Sequence, residues 1–285
     1  MKRIRIAFLA VALVALVGVL VGCNNIAFEF EKPTPKVTSP TISKDGVLVV
    51  GVNTENAPMA GKAGSSGKIV GIDVDIAAAI ADDMGLTLEI VDIGVDDVGA
   101  VKNKKVDIVL GMDSANADAE IWKSTSYLNT GVALFGLDES AKAPEAGAVP
   151  KVGAQSASMS AWAVSNEYGA DALVSQSDLS TAFTALKDGS VNYVAADAVI
   201  GSYAAHAVIP GSTIVAMMQK PTGYSIACLA SNAELQKQLV STYDKISRNG
   251  VLEVIKSKWL GTGYDISKIA LTPKAAAANT PTPAQ

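Results

Sequence analysis

The chain has 285 residues, which is enough to bury one large core or two modest ones. Hydrophobic residues make up 49% of it and charged residues 18%, a balance that excludes a wholly disordered protein. The formal net charge is −5, so the general field of the protein does not favour nucleic acid or anionic lipid. We therefore expect no nucleic-acid partner.

The first 22 residues have the pattern of a secretory signal peptide. Basic residues at positions 2, 3 and 5 precede an apolar stretch, residues 6–20. The stretch ends in LVGC at residues 20–23, which resembles the bacterial lipobox and implies cleavage before Cys23 and lipid attachment to its thiol. An uncleaved membrane helix is the alternative interpretation. If Cys23 carries lipid, the other cysteine, Cys228, has no partner for a disulfide.

Two flanking segments are predicted to lie outside the fold. Residues 23–43 are rich in Pro and Thr and are predicted to form a lipid-anchored tether. Residues 272–285, TPKAAAANTPTPAQ, are of low complexity and are predicted to be a disordered tail.

Strands and helices alternate in the chain between residues 44 and 271. The first half predicts strands at 46–52, 86–93 and 106–111 and helices at 71–86 and 97–104. The second half predicts strands at 151–155, 171–176, at the start of 191–205 and at 223–230, and helices at 158–169, 178–190, 232–249 and 250–261. This order favours an α/β protein of two lobes with largely parallel sheets.

Acidic residues follow two of the predicted strands. Asp113 lies two residues beyond the strand at 106–111, and Asp197 lies at the end of the strand that begins at 191. Open α/β sheets bind ligands beyond the carboxyl ends of their strands. Both residues are therefore candidates for a ligand site.

Seven stretches, in order over roughly residues 45–262, resemble the extracellular solute-binding proteins of amino-acid ABC transporters, family 3. They are DGVLVVGVNTENAPM, GKIVGIDVDIAAAIADDMGL, KNKKVDIVLGM, SYLNTGVALFG, KVGAQSAS, ALKDGSVNYVAAD and YSIACLASNAELQKQLVSTYDKISRNGVLEVIKSKWLG. The resemblance implies a two-lobed α/β fold of the type II periplasmic-binding-protein kind, with a ligand cleft between the lobes. It implies that residues 44–134 and 221–271 form lobe 1 and that residues 135–220 form lobe 2, joined by hinge strands near 131–138 and 216–224.

The same resemblance implies a function. Such a protein binds a small solute by lobe closure and delivers it to an ABC permease, without a cofactor. We expect a monomer outside the cytoplasm, anchored to the bacterial cell membrane through Cys23. A sensory or partner-binding lipoprotein that has lost transport is the alternative. An enzyme is not expected, because His206 is the only histidine and no Ser/His/Asp or Cys/His set is evident.

One family feature is missing. Family members that bind free α-amino acids usually carry a motif resembling T-x-T-x-x-R after the strand that ends here at Gly111, and its arginine binds the ligand carboxylate. Asp113 and Ala115 stand at the threonine positions and Asp118 at the arginine position. Arg248 is the only arginine after Arg5, so no shift of register restores the motif. The carboxylate clamp is absent.

The resemblance also indicates candidate ligand-binding residues. Asp197 matches the lobe-2 acid that accepts the ligand amine, and Ser158 matches a small polar turn at a helix start. Glu55 and Met59 fall where lobe-1 residues contact ligand side chains. The predicted binding set is therefore Glu55, Met59, Gly111, Asp113, Asp118, Ser158 and Asp197; no catalytic or metal-binding residue is predicted.

Two interpretations of the acidic segment remain open. Asp113, Asp118 and Asp197, with Glu55, could bind a cationic or neutral nitrogenous solute that lacks a free α-carboxylate. Alternatively, Asp118 and Glu120 cap or solvate a helix N-terminus. An ordinary amino acid also stays possible, if Lys123 or a helix N-terminus holds its carboxylate.

Overall fold

The computed structural model describes residues 34–261 and 264–278, which form two α/β lobes. The strands are β1 (Val47–Val52), β2 (Gly61–Ala63), β3 (Lys68–Val70), β4 (Thr87–Asp92), β5 (Ile108–Asp113), β6 (Ile121–Lys123), β7 (Leu128–Thr130), β8 (Val132–Gly136), β9 (Val152–Gln155), β10 (Leu173–Gln176), β11 (Tyr193–Asp197), β12 (Thr213–Met217) and β13 (Thr222–Leu229). The helices are α1 (Ile72–Asp83), α2 (Asp97–Lys102), α3 (Met159–Tyr168), α4 (Leu179–Lys187), α5 (Ala198–Val208), α6 (Ala233–Arg248), α7 (Val251–Leu260) and α8 (Pro273–Ala278).

Lobe 1 is built on a mixed sheet with the strand order β4-β1-β5-β13-β6, and β7 also pairs with β13. Strands β4, β1 and β5 are parallel, whereas β13 runs antiparallel to β5. Helices α1, α6 and α7 pack together on one face, and α2 covers the other. Burial on both faces explains why β1, VLVVGV, is an almost unbroken apolar run.

Lobe 2 is built on a second mixed sheet, with the order β10-β9-β11-β8-β12. Strand β8 alternates between two cores. Ala133 and Phe135 face α4 and α5, and the Phe135 ring meets Phe183 edge-on with the centroids 5.4 Å apart. Val132 and Leu134 face α3 on the opposite side. Alternate side chains of one strand thus fill the cores on both sides of the sheet.

The chain crosses between the sheets within two segments predicted as hinges. The first crossing joins β7 to β8, and the second joins β12 to β13. The predicted lobe boundaries need two corrections. All of β8 pairs within the lobe-2 sheet, so residues 132–134 belong to lobe 2. Residues 266–271 also belong there, because Ile266, Ile269 and Leu271 pack into its core.

The tether prediction is wrong for residues 34–43. Val37 and Ile42 are buried in the lobe-1 core. The Lys36 amide donates to the Met84 carbonyl at 3.0 Å, and Asn232 donates to the Thr41 carbonyl at 2.8 Å. These apolar and hydrogen-bonding contacts fix a segment whose Pro/Thr composition alone predicts an unstructured spacer.

The tail prediction is wrong for residues 272–278. Thr272 is buried, and α8 follows it directly. The predicted signal peptide, Cys23 and the last residues of the tail lie outside the described residues. Within the described part of the chain, no helix has both the length and the apolar character needed to cross a membrane.

Candidate functional site

A cavity of about 160 Å³ lies at the carboxyl ends of β4, β1 and β5 in lobe 1. The side chains and backbone that line it include Asn53, Asn56, Asp73, Ile93, Gly94 and Gly111. The carboxyl ends of parallel strands are where open α/β sheets place their ligands. The residues that line this cavity therefore form the lobe-1 wall of the candidate ligand site.

A buried hydrogen-bond chain supports this wall. The Tyr127 hydroxyl donates to Asp73 Oδ1 at 2.5 Å and accepts from the Gly111 backbone N–H at 2.8 Å. Burial raises the pKa of Asp73 to about 7, an effect that the hydrogen bond from Tyr127 opposes. Gly111 has φ +86°, and a Cβ there would lie 3.1 Å from Asp73 Oδ2. The chain thus positions the end of β5 beside a carboxyl group that titrates near neutral pH.

Asp197 forms the corresponding acidic group of lobe 2. It ends β11 and caps α5, accepting hydrogen bonds from the backbone N–H groups of Val199 and Ile200 at 2.9 and 3.0 Å. The Thr130 hydroxyl donates to its other oxygen at 2.6 Å. Burial raises the pKa of Asp197, whereas these hydrogen bonds lower it. Because Thr130 lies at the first hinge crossing, Asp197 is fixed where the lobes meet.

Tyr224 lies close to the acids of both walls. It is in β13, opposite Asp113 of β5. Burial raises the pKa of Tyr224 above its usual range, an effect that the Asn56 side chain opposes. The carboxylates of Asp197, Asp73 and Asp113 raise this pKa further. The acids of both lobes therefore lie within electrostatic reach of one tyrosine hydroxyl in the cleft.

Two predicted lobe-1 contacts are not supported by the geometry. The Met59 side chain is 1% exposed and packs in the lobe-1 core, so it cannot stack on a ligand. Glu55 is exposed and does not line the cavity, whereas its neighbours Asn53 and Asn56 do. At this wall the structure presents amides, which both donate and accept hydrogen bonds.

Residues 113–120 separate into two groups. Asp113 is exposed at the end of β5 and near Tyr224, which is compatible with its predicted cleft position. Asp118 and Glu120 instead both pair with Lys102, at 2.8 and 2.9 Å. The hydrogen bond from Lys102 lowers the pKa of Asp118. The alternative of a helix cap is also wrong, because the segment leads into strand β6 rather than a helix.

The remaining polar candidates are already engaged. Ser158 is the N-cap of α3; its hydroxyl accepts from the Ala161 N–H at 3.1 Å and donates to the Gln155 carbonyl at 2.7 Å. The Lys123 ammonium donates to the backbone carbonyls of Ser114 (2.8 Å) and Asn116. Lys123 therefore holds the 113–116 loop and is not free to replace the missing arginine.

Sequence reasoning missed Asp73, Tyr127, Asn56 and Tyr224. Asp73 lies in the first turn of α1, whose N-cap, Gly71, makes no side-chain cap. The available signal was an acid placed among the buried residues of α1. Its partner Tyr127 lies 54 residues further along the chain, so the pair becomes evident only in the fold.

Neither Arg248 nor His206 is placed to complete a carboxylate clamp. Arg248 lies near the end of α6, with its side chain 80% exposed and paired with Asp244 at 3.7 Å. His206 is exposed in the last turn of α5. Among the described residues, no group of three or more Asp, Glu, His or Cys side chains is placed to hold a metal ion.

Two α/β lobes, two hinge crossings and an acidic cleft define a two-lobed solute-binding protein with the type II periplasmic-binding fold. The chain belongs to the bacterial extracellular solute-binding proteins, family 3, whose model matches residues 48–262. No curated protein matches the chain.

Three solved structures illustrate the likeness. A polar amino acid ABC uptake transporter substrate-binding protein from Streptococcus thermophilus has a TM-score of 0.68 at 19% identity, covering 76% of this chain and 86% of its own. An ancestral cationic amino acid solute-binding protein has a TM-score of 0.64 at 20% identity, with coverages of 75% and 96%. A mutant of ArgBP from T. maritima has a TM-score of 0.51 at 26% identity, with coverages of 75% and 95%. At 19% and 20% identity, the first two structures show a shared fold and nothing about the ligand.

Proposed function

We propose that the protein is the substrate-binding component of an ABC importer. It captures a small, positively charged nitrogenous solute, an amino acid or an amine, and its cleft does not require a free α-carboxylate. Lobe closure around the solute creates the form that a membrane permease recognises, and lipid attachment at Cys23 keeps the protein at the membrane. Closure follows from the principle that a ligand favours the state in which it makes the most contacts.

The environment of Asp197 carries the proposal. This acid is partly buried at the meeting point of the lobes, and its donors within the described part of the chain, Thr130, Val199 and Ile200, are all neutral. A partly buried carboxylate without a cationic partner is costly, and its raised pKa reflects this cost. A ligand ammonium group supplies the missing charge and gains a partner that is already oriented.

The cationic side chains of the protein support the second half of the proposal. Arg248 is exposed in α6, Lys123 is bound to loop carbonyls, and Lys102 is paired with Asp118 and Glu120. A ligand carboxylate normally needs a bidentate donor such as arginine. One similar structure is described as a cationic amino acid solute-binding protein, but its likeness concerns the fold, and the ligand class proposed rests on the charges of the cleft.

A thermal-shift screen tests the proposal. Thermal melts of the purified protein are recorded with amino acids, biogenic amines and short peptides. Each is present at a concentration far above the dissociation constant expected of a transport receptor. A bound ligand raises Tm, because it stabilises only the folded state. Cationic amines or amino acids should raise Tm, and dicarboxylic amino acids should not. A shift produced only by anionic or uncharged solutes would overturn the proposed ligand class.

Delivery needs a separate assay. The protein, with its solute, should stimulate ATP hydrolysis by its permease complex in proteoliposomes, whereas the protein without solute should stimulate it less. Equal stimulation with and without a solute that binds would argue against a transport role.

A further inference from the structure

The segment after α7 continues beyond the part that matches the family. The family match ends at residue 262, yet residues 264–278 are packed on the protein. We call residues 264–278 the C-terminal strap. Its first residue is hydrogen-bonded to lobe 1, and the residues from Ile266 onward pack into and hydrogen-bond to lobe 2, which makes it a link between the lobes in addition to the two hinge crossings.

The strap begins at Tyr264, which is held by lobe 1. Its hydroxyl donates to the Asn129 carbonyl of β7 at 3.0 Å, and its ring packs against the cores of both lobes. Burial raises the pKa of Tyr264 above its usual range, and the charges of Asp197 and Tyr224 add to the increase. Tyr264 therefore lies beside the acidic cleft, and it binds Asn129, which is one residue before Thr130 at the first hinge crossing.

The strap joins lobe 2 immediately afterwards. Ile266 is 2% exposed and packs in the lobe-2 core with Ile269 and Leu271. The Met217 N–H donates to the Ala270 carbonyl at 2.9 Å, and the Thr272 N–H donates to the Met217 carbonyl at 2.8 Å. Met217 is the last residue of β12, so this attachment lies at the start of the second hinge crossing.

The end of the strap is attached to α3. The buried carboxylate of Glu167 accepts from the backbone N–H groups of Lys274 and Ala275, at 2.9 and 3.2 Å. The Lys274 ammonium also donates to the Asn166 carbonyl at 2.8 Å. These bonds cap α8 with an acid from lobe 2, so the far end of the strap is fixed to that lobe.

Only Asp265 separates the residue held by lobe 1 from the residue buried in lobe 2. We propose that the C-terminal strap is a third connection between the lobes, which limits how far they separate. Two extended residues span at most about 7 Å, so the lobes cannot move far apart at this edge unless the strap detaches. The proposal depends on the lobe movement of the proposed function but not on the identity of the solute.

The energetic consequence follows from populations. A short link removes widely open arrangements of the lobes from the ensemble, because it cannot span them. A longer flexible link would leave these arrangements accessible, and lobe closure would then cost more conformational entropy. The affinity of a receptor is reduced in proportion to the fraction of molecules that are not competent to bind. A strap that excludes widely open states therefore raises the competent fraction before any solute arrives.

The test measures the distance between the lobes in the solute-free full chain. Spin labels are attached at Lys68→Cys in lobe 1 and Ser180→Cys in lobe 2, both exposed positions, with Cys23→Ser to remove the competing thiol. Cys228 is buried and burial raises the pKa of its thiol to about 12, so it stays unlabelled. The test variant carries a flexible Gly/Ser insertion of about six residues after Asp265, which loosens the strap but keeps both attachments.

The matched control carries the same insertion after Gly189, in an exposed turn of lobe 2 with no neighbouring atom within 4 Å of the position that a Cβ would take. We expect a shift to longer label distances and a wider distribution with the insertion after Asp265, and the parent distribution with the insertion after Gly189. Parent-like distances in both variants would overturn the proposal. So would equal widening in both variants, which would indicate a general loosening of lobe 2.

A gentler variant covers the case in which the insertion prevents folding. Tyr264→Phe removes only the hydroxyl that binds the Asn129 carbonyl and keeps the ring packed. It should shift the label distances in the same direction by a smaller amount, with circular dichroism unchanged. A parent-like distance distribution for Tyr264→Phe, together with a change in Tm alone, would assign the strap a purely structural role and contradict the proposal.

Discussion

Each wall of the cleft carries an aspartate, buried in lobe 1 and partly buried in lobe 2, and the two are held in different ways. In lobe 1, Asp73 is enclosed, accepts from the Tyr127 hydroxyl, and through it is connected to the Gly111 amide. In lobe 2, Asp197 caps α5 at the meeting point of the lobes, and its hydrogen-bond donors among the described residues are neutral. Burial raises the pKa of both. From this difference we infer that Asp73 supports the wall, and we propose that Asp197 binds the ligand.

Removing the charge of Asp197 should have the largest effect. Asn is as good an N-cap as Asp, so Asp197→Asn should keep Tm nearly unchanged. Loss of the carboxylate that pairs with the ligand ammonium should weaken binding by about 100-fold or more. Isothermal titration calorimetry with the solute that gives the largest Tm increase measures this. An affinity within a factor of three of the parent would mean that Asp197 does not hold the ligand charge.

The raised pKa of Asp73 predicts a pH-dependent stability. The folded protein keeps the proton up to a pH of about 7, whereas the unfolded chain loses it near 3.8. The stabilisation is therefore complete below about pH 4 and is lost as the pH rises through 7. We expect it to amount to roughly 2–4 kcal/mol of unfolding free energy.

Asp73→Asn is the variant that isolates this contribution. This variant should lack the pH dependence of stability that Asp73 causes. The difference in unfolding free energy between parent and variant should therefore decrease from pH 4 to pH 8. Urea unfolding at several pH values measures this difference. A difference that stays constant over the same range would show that Asp73 does not titrate as proposed.

The close approach of Gly111 to Asp73 predicts a smaller effect. Gly111→Ala places a methyl group 3.1 Å from Asp73 Oδ2 at a residue whose φ is +86°. Strain of this kind costs about 1–3 kcal/mol of stability. Gly94→Ala is the matched control, since Gly94 lines the same cavity with φ +57° but has no neighbouring atom within 4 Å. Equal losses in the two variants would attribute the effect to backbone strain alone.

Asp118→Asn should have the smallest effect. Asp118 pairs with Lys102, and solvent-exposed pairs of this type contribute little because solvent screens them. Solute affinity should stay within about twofold of the parent and Tm within about 2 °C. Calorimetry and thermal melts of this variant should be run beside those of Asp197→Asn. A loss of affinity comparable to that of Asp197→Asn would indicate that Asp118 does contact the ligand.

The sequence was sufficient to predict the two-lobed α/β fold and to place Asp197 at the end of a strand. The strands and helices repeat in the order of the family, and a residue at the end of a parallel strand lies at the cleft whatever its neighbours are. The acids after β5 could not be assigned in the same way. Whether Asp118 faces a ligand or Lys102 depends on how α2 packs beside the loop, which local pattern does not encode.

The predictions for the flanking segments were wrong for a related reason. Composition describes residues 34–43 and 272–278 as spacer and tail, but a few buried contacts decide their state. Val37 and Ile42 fill the lobe-1 core, and Glu167 caps α8 from a distance of more than a hundred residues. Two apolar residues in a Pro/Thr-rich segment were a visible signal, whereas the partner of α8 was not.

We propose that the cleft recognises positive charge through Asp197 and does not need a ligand carboxylate. Calorimetry with matched pairs, arginine against agmatine and lysine against cadaverine, isolates the contribution of the α-carboxylate, because only this group differs. In the pair that binds, we expect the amine to bind at least as tightly as its amino acid, and Asp197→Asn to weaken the binding of both. An amino acid that binds more than about tenfold tighter than its amine, a difference of about 1.4 kcal/mol, would contradict the proposal.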